Sequence, residues 1–167
     1  TVTIPNGTSI DVRGAICAGD VACGANTMAS NSSRITFNWQ DPLISNATGS
    51  CYGIFSGNHW NRDPSCNEGI LLRSTVDIGA TKLRFVSITN AYGMPRWVSE
   101  ISEVRYGALV AEGASPTMTG LKFEGIYTSS LLILDLARPD IVGGEFTVGD
   151  DATSLIGSAI QAYGAGS

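Results

Sequence analysis

Between Arg34 and Gln40, Ile35, Phe37 and Trp39 fall on one side while Arg34, Thr36, Asn38 and Gln40 fall on the other. This two-residue period marks a strand with one buried face, and it recurs along the chain. Ile10, Val12, Gly14 and Ile16 alternate with Asp11 and Arg13, and Leu121, Phe123 and Tyr127 alternate with Lys122 and Glu124. Residues 82–89 set Leu83 and Phe85 against Lys82 and Arg84 and then turn apolar on both sides, as an interior strand does. Ser130 to Leu136 is almost continuously apolar and too short for an isolated helix, so it reads as a strand buried on both faces.

Turn signals separate these runs, among them Pro5-Asn6-Gly7, Asp41-Pro42, Asp63-Pro64, Gly93-Met94-Pro95, Gly113 to Pro116 and Arg138-Pro139-Asp140. Short strands punctuated in this way predict an all-β, single-domain β-sandwich of jelly-roll type over residues 1–167, with eight to ten strands. Val98, Ile101 and Val104 within Trp97 to Tyr106 read as a bulged strand. Ala152, Leu155, Ile156, Ala159, Ile160 and Tyr163 follow Asp150-Asp151 at helical spacing, which predicts a short C-terminal helix ended by Gly164, with Gly157 weakening it. No internal repeat stands out.

All four cysteines, Cys17, Cys23, Cys51 and Cys66, lie in the first 66 residues. Their spacing suits two disulfides rather than zinc, whose ligands come in pairs two to four residues apart. Pairing of sequence neighbours, Cys17 with Cys23 and Cys51 with Cys66, closes the shortest loops. Disulfides, together with a start at Thr1 rather than Met, point to a secreted, extracellular or cell-surface protein whose signal peptide has been removed. Charged residues make up only 15% of the chain, leaving a surface of Ser, Thr, Asn and Gly. A net charge of −5 argues against nucleic acid as a partner. No apolar run is long enough to span a membrane. Sequons at Asn6, Asn31 and Asn46 offer glycosylation sites in loop-like contexts.

Catalytic signals are sparse. His59 is the only histidine, which removes a multi-histidine metal site, and no Gly-x-Ser-x-Gly elbow accompanies it and Asp63. Glu100, Glu103, Glu124 and Asp135 supply carboxylates for glycoside chemistry but read first as solvated strand faces. Asp140, Glu145, Asp150 and Asp151 lack the spacing of a calcium loop. The expectation is a protein without metal or cofactor that is not an enzyme.

Two non-catalytic roles follow. The loop between Cys51 and Cys66 gathers Tyr52, Asn58, His59, Trp60, Asn61, Arg62 and Asp63, an aromatic platform among amide, imidazole, guanidinium and carboxylate groups suited to a sugar. Tyr92, Trp97 and Tyr106 form a second aromatic group. The rival role is assembly. Val2, Ile4, Ile10 and Val12 predict an N-terminal strand pair hinged at Pro5-Asn6-Gly7, able to add to a neighbouring subunit's sheet. The scarcity of lysine and the low charge favour this self-assembling structural subunit, a homo-oligomer or polymer such as a fibre, coat or shell, with the carbohydrate-binding or adhesive module as the alternative.

Overall fold

Strand pairing, rather than strand content, defines this architecture. The computed structural model describes residues 1–5, 7–24, 27–40, 68–146 and 158–164. A first coil is formed by β1 (Val2–Ile4), β2 (Ser9–Val12) and β3 (Cys17–Ala18), and a second by β4 (Ile35–Trp39), β5 (Gly69–Leu72) and β6 (Lys82–Arg84). Then come β7 (Val86–Thr89), β8 (Met94–Val98), β9 (Glu103–Glu112) and β10 (Thr117–Glu124), followed by β11 (Ser129–Leu134), β12 (Asp140–Glu145) and β13 (Ile160–Ala162).

Every strand but β8 pairs in parallel with a strand of a neighbouring coil. On the first face the order is β1, β4, β7 and the C-terminal half of β10. The second face runs β2, β5, β9, β11, β13. On the third face lie β3, β6, the N-terminal half of β10, and β12. The chain therefore winds as a three-faced parallel β-solenoid, in which each coil cannot bury its apolar side alone and stacks on its neighbours.

This corrects the expected jelly roll. Among the described residues every ladder is parallel except the hairpin of β8 with β9, to which a single bridge, Glu68 to Gly93, is added. Alternation of apolar and polar residues is the same in both pairing modes, so it does not report direction. The corners do. Phe85, Gly120 and Gly143 occupy equivalent positions between the third and first faces, with φ of 47°, 59° and 67°. A single left-handed residue bends the chain by one corner, whereas a two-residue hairpin would reverse it. Asn90 and Gly125, at 58° and 60°, repeat the device between the first and second faces. The repeat escapes notice in the sequence because loops of unequal length separate the coils.

Interior columns follow from the in-register stacking. Val2, Phe37, Ile88 and Phe123 align on the first face, and Phe146 continues them with its ring stacked 5.2 Å from that of Phe123. Ile10, Ile70, Leu109, Leu131 and Ile160 align on the second, and Ala18, Leu83, Met118 and Ile141 on the third. Trp39 is fully buried, as the alternation requires, and its Nε1–H donates to the Thr8 carbonyl at 2.7 Å. The second face is buried on its outer side too. Leu71, Val110 and Leu132 pack there with Met94 and Val98 of β8, so the strand expected over Ser130 to Leu136 is interior as far as Leu134, while Asp135 and Leu136 turn an exposed corner at φ of 55° and 62°.

Three further expectations change. Trp97 to Tyr106 is a hairpin turning at Ser102, whose φ is 51°, not a bulged strand. Ile160 to Ala162 is a strand in register with Leu131 to Ile133, not part of a helix; the preceding part of that segment, 147–157, lies outside the described residues. Finally, β1 and β2 do not pair with each other: they lie on different faces and pair with β4 and β5. No helix among the described residues is long and apolar enough to cross a membrane.

Candidate functional site

The loop bearing Tyr52, Asn58, His59, Trp60, Asn61, Arg62 and Asp63 lies outside the described residues, as do Cys51, Cys66, Asn6 and Asn46. Cys17 and Cys23 are bonded, with their Cα atoms 5.3 Å apart, closing a tight loop in which Asp20 caps a 3-10 turn through the Ala22 N–H at 2.9 Å. The carboxylates considered for catalysis do not converge. Glu103 pairs with Arg105 at 2.7 Å and Glu124 with Lys122 at 2.8 Å, on different faces, while Glu100 and Asp135 are exposed. Among the described residues no three His, Cys, Asp or Glu side chains gather as metal ligands. In the second aromatic group Tyr92 meets Tyr106 edge-on at 5.8 Å and stacks on Tyr127 at 6.5 Å, whereas Trp97 is 63% exposed on the hairpin.

Two features with functional geometry remain. The first is the pair of coil ends. Val2, at the start of the first-face column, is 47% exposed although its in-register neighbour Phe37 is buried. Ile160, at the far end of the second-face column, is 45% exposed although its neighbour Leu131 is fully buried. Val2, Ile4, Ile10 and Val12 all point into the coil interior, so the residues expected to form an assembly strand end the core rather than decorate a separate hairpin.

The second feature is the outer side of the third face. Because Leu83 and Met118 point inward, Lys82, Arg84, Thr117 and Thr119 point out. They line an open cleft of about 190 Å³ together with Asp20. A neighbouring cleft of about 340 Å³ is lined by Asn31, Arg34, Phe85, Gly143 and Glu145, and shares Thr119. The Arg34 guanidinium is fixed by donating to the Gly120 carbonyl and to Asn31 Oδ1, each at 2.6 Å. Arg34 and Arg84 both lie over the Phe85 ring, at 5.8 and 5.4 Å from its centre.

Elsewhere among the described residues every cation but Arg138 is matched. Arg73 bridges Asp11 at 3.1 Å and Glu112 at 2.9 Å across three coils, and Glu112 reaches Arg96 at 2.8 Å. The Arg73 hydrogen bond holds the Asp11 carboxyl below its ordinary range, and burial pulls the Arg96 guanidinium down. By contrast Arg34, Lys82 and Arg84 have no carboxylate partner among the described residues. Sequence alternation already places Lys82 and Arg84 on an outward face; the arrival of Arg34 beside them depends on the coil and has no local signal.

A third arrangement is structural. Glu68 is buried, and its two carboxylate oxygens accept from the Gly7 N–H at 2.7 Å and the Tyr92 N–H at 3.0 Å, joining three successive stretches of the coil. Burial raises its carboxyl above the ordinary range, against the opposing pull of those two N–H groups.

The fold defines the chain as a parallel β-solenoid. No protein-family model, curated protein or solved structure matches it.

Proposed function

We propose that this chain is a non-enzymatic, extracellular structural subunit whose coils stack end to end on those of other copies. The observation that carries this is the state of two of the three interior columns, one ending in exposed Val2 at the first coil and another in exposed Ile160 at the far end. Stacking the far end of one copy on the first coil of the next places Ile160 against Ile10, Phe146 against Val2 and Ile141 against Ala18, continuing all three columns. β1, β3 and β13 carry no charged residue, β2 and β12 carry only acidic ones, and none of these five edge strands has the lysine or proline that commonly guards a free edge. Such a contact joins two different surfaces, so it builds an open filament unless its rotation closes a ring.

Light scattering on the non-reduced protein tests this. The expected result is a mass that grows with concentration and falls to that of one chain in the Val2→Asp/Ile160→Asp variant, with little change in melting temperature. A wild-type chain that stays monomeric at high concentration overturns it.

A further inference from the structure

From the two contiguous clefts on the outer third face, we infer a binding site for an acidic polysaccharide, in which Arg34, Lys82 and Arg84 receive the carboxylates and Asn31, Thr117 and Thr119 the hydroxyls. The charge distribution is the first support. In a chain of net charge −5, three cations lacking a carboxylate partner among the described residues converge on one face. Arg138, the remaining described cation without such a partner, stands exposed on the turn before β12.

Preorganisation is the second. Arg34 and Arg84 are like charges held against one aromatic ring, and Arg34 is further fixed by two hydrogen bonds. Arg84 Nε is buried and makes no hydrogen bond. A carboxylate arriving between these groups relieves their repulsion and meets guanidinium donors in the fork geometry that suits it.

The polar remainder selects a sugar. Lys82 and Arg84 lie two residues apart on one strand, about 6.6 Å along it, with the hydroxyls of Thr117 and Thr119 on the adjacent strand about 4.8 Å away. Cations interleaved with hydroxyls and an amide match a polymer that carries separated carboxylates among many hydroxyls. They do not match nucleic acid, whose duplex places one charge about every 1.7 Å and binds through many cations. Asp20 and Glu145 on the cleft rims reinforce this, because Asp20 is turned toward the Ala22 N–H, Glu145 lies 3.5 Å from Lys122, and both repel a densely charged strand.

Titration calorimetry of the unglycosylated chain at about 0.1 M salt, with hexagalacturonate, uncharged isomaltohexaose and a single-stranded DNA hexamer as probes, tests the site. The uronate is expected to bind at least about tenfold more tightly than either control. Lys82→Gln/Arg84→Gln is expected to weaken it by about tenfold or more at an unchanged melting temperature, with recovery in Lys82→Arg. Should the double variant fail to fold, Lys82→Gln alone gives the same reading, since the Lys82 side chain makes no hydrogen bond or ion pair among the described residues and its backbone bond to Ile16 survives the change. No uronate binding, equal binding of the neutral glucan, tighter binding of the DNA, or a folded variant that binds like wild type would each overturn the inference.

Discussion

Gly19 and Gly24 offer a controlled test of how closely the coils stack. Both are left-handed, with φ of 78° and 79°; Gly19 lies within the loop closed by Cys17 and Cys23 and Gly24 directly follows it. They differ in surroundings. A Cβ on Gly24 meets nothing within 4 Å, whereas one on Gly19 falls 1.9 Å from the Arg84 carbonyl oxygen of the next coil. Gly24→Ala therefore incurs only the left-handed penalty, about 1–2 kcal/mol, partly offset by the reduced freedom of the unfolded chain. Gly19→Ala incurs the same penalty and also forces two stretches of main chain apart, adding about 1–3 kcal/mol or more. At roughly 2–4 °C per kcal/mol for a chain of this length, the two variants should melt several degrees apart. Urea unfolding of the non-reduced proteins, with slopes compared to confirm a common unfolded state, measures the gap. Equal losses, within about 0.5 kcal/mol, would mean that the first coil does not approach Arg84 as closely as described.

Four other outcomes are expected. The raised carboxyl of Glu68 contributes stability that is complete below its unfolded value and is lost as pH climbs through its folded value. The stability gap between wild type and Glu68→Gln should therefore be larger at pH 4 than at pH 7, and a gap independent of pH would refute the burial of this group. Asp11 has the opposite sign: its lowered carboxyl supports the fold above the unfolded value and ceases to as pH falls through the folded one. Asp11→Asn should cost up to about 1 kcal/mol at pH 7 and nothing near pH 2, by denaturant unfolding at both. Trp39→Phe leaves the Thr8 carbonyl without its donor and opens space in the core, for a loss of about 1–3 kcal/mol readable in the same assay. Replacing Cys17 and Cys23 by serine frees a short loop, six residues in separation, and should cost no more than about 2 kcal/mol; a collapse of the fold would show a larger role for the bond.

Side-chain direction was legible in the sequence, and chain direction was not. Ile35, Phe37 and Trp39 face inward as their spacing requires, and Leu131 to Leu134 is the interior strand its composition implies. Yet the same alternation serves a parallel coil and an antiparallel sandwich. What separates them is the left-handed backbone at Phe85, Asn90 and Asp135, a conformation that Phe in particular gives no reason to expect. At Ile160 the helical spacing is overridden by an open place beside Leu131, where tertiary pairing outweighs a weak local preference interrupted by Gly157. The outward pair Lys82 and Arg84 could be read from the strand, but Arg34 and Gly143 join them only because the third and first faces meet at one corner.

Because the strands of each coil pair only with those of the coils before and after it, the solenoid behaves as a one-dimensional array, with stability divided between single coils and the contacts joining neighbours. Amide exchange should reflect that arrangement as a gradient along the axis. The backbone of β7, β9 and β10 has neighbours on both sides and should open last, while β1, β3 and β13 should fray first. Refolding would then spread outward from the middle, one coil serving as the template for the next.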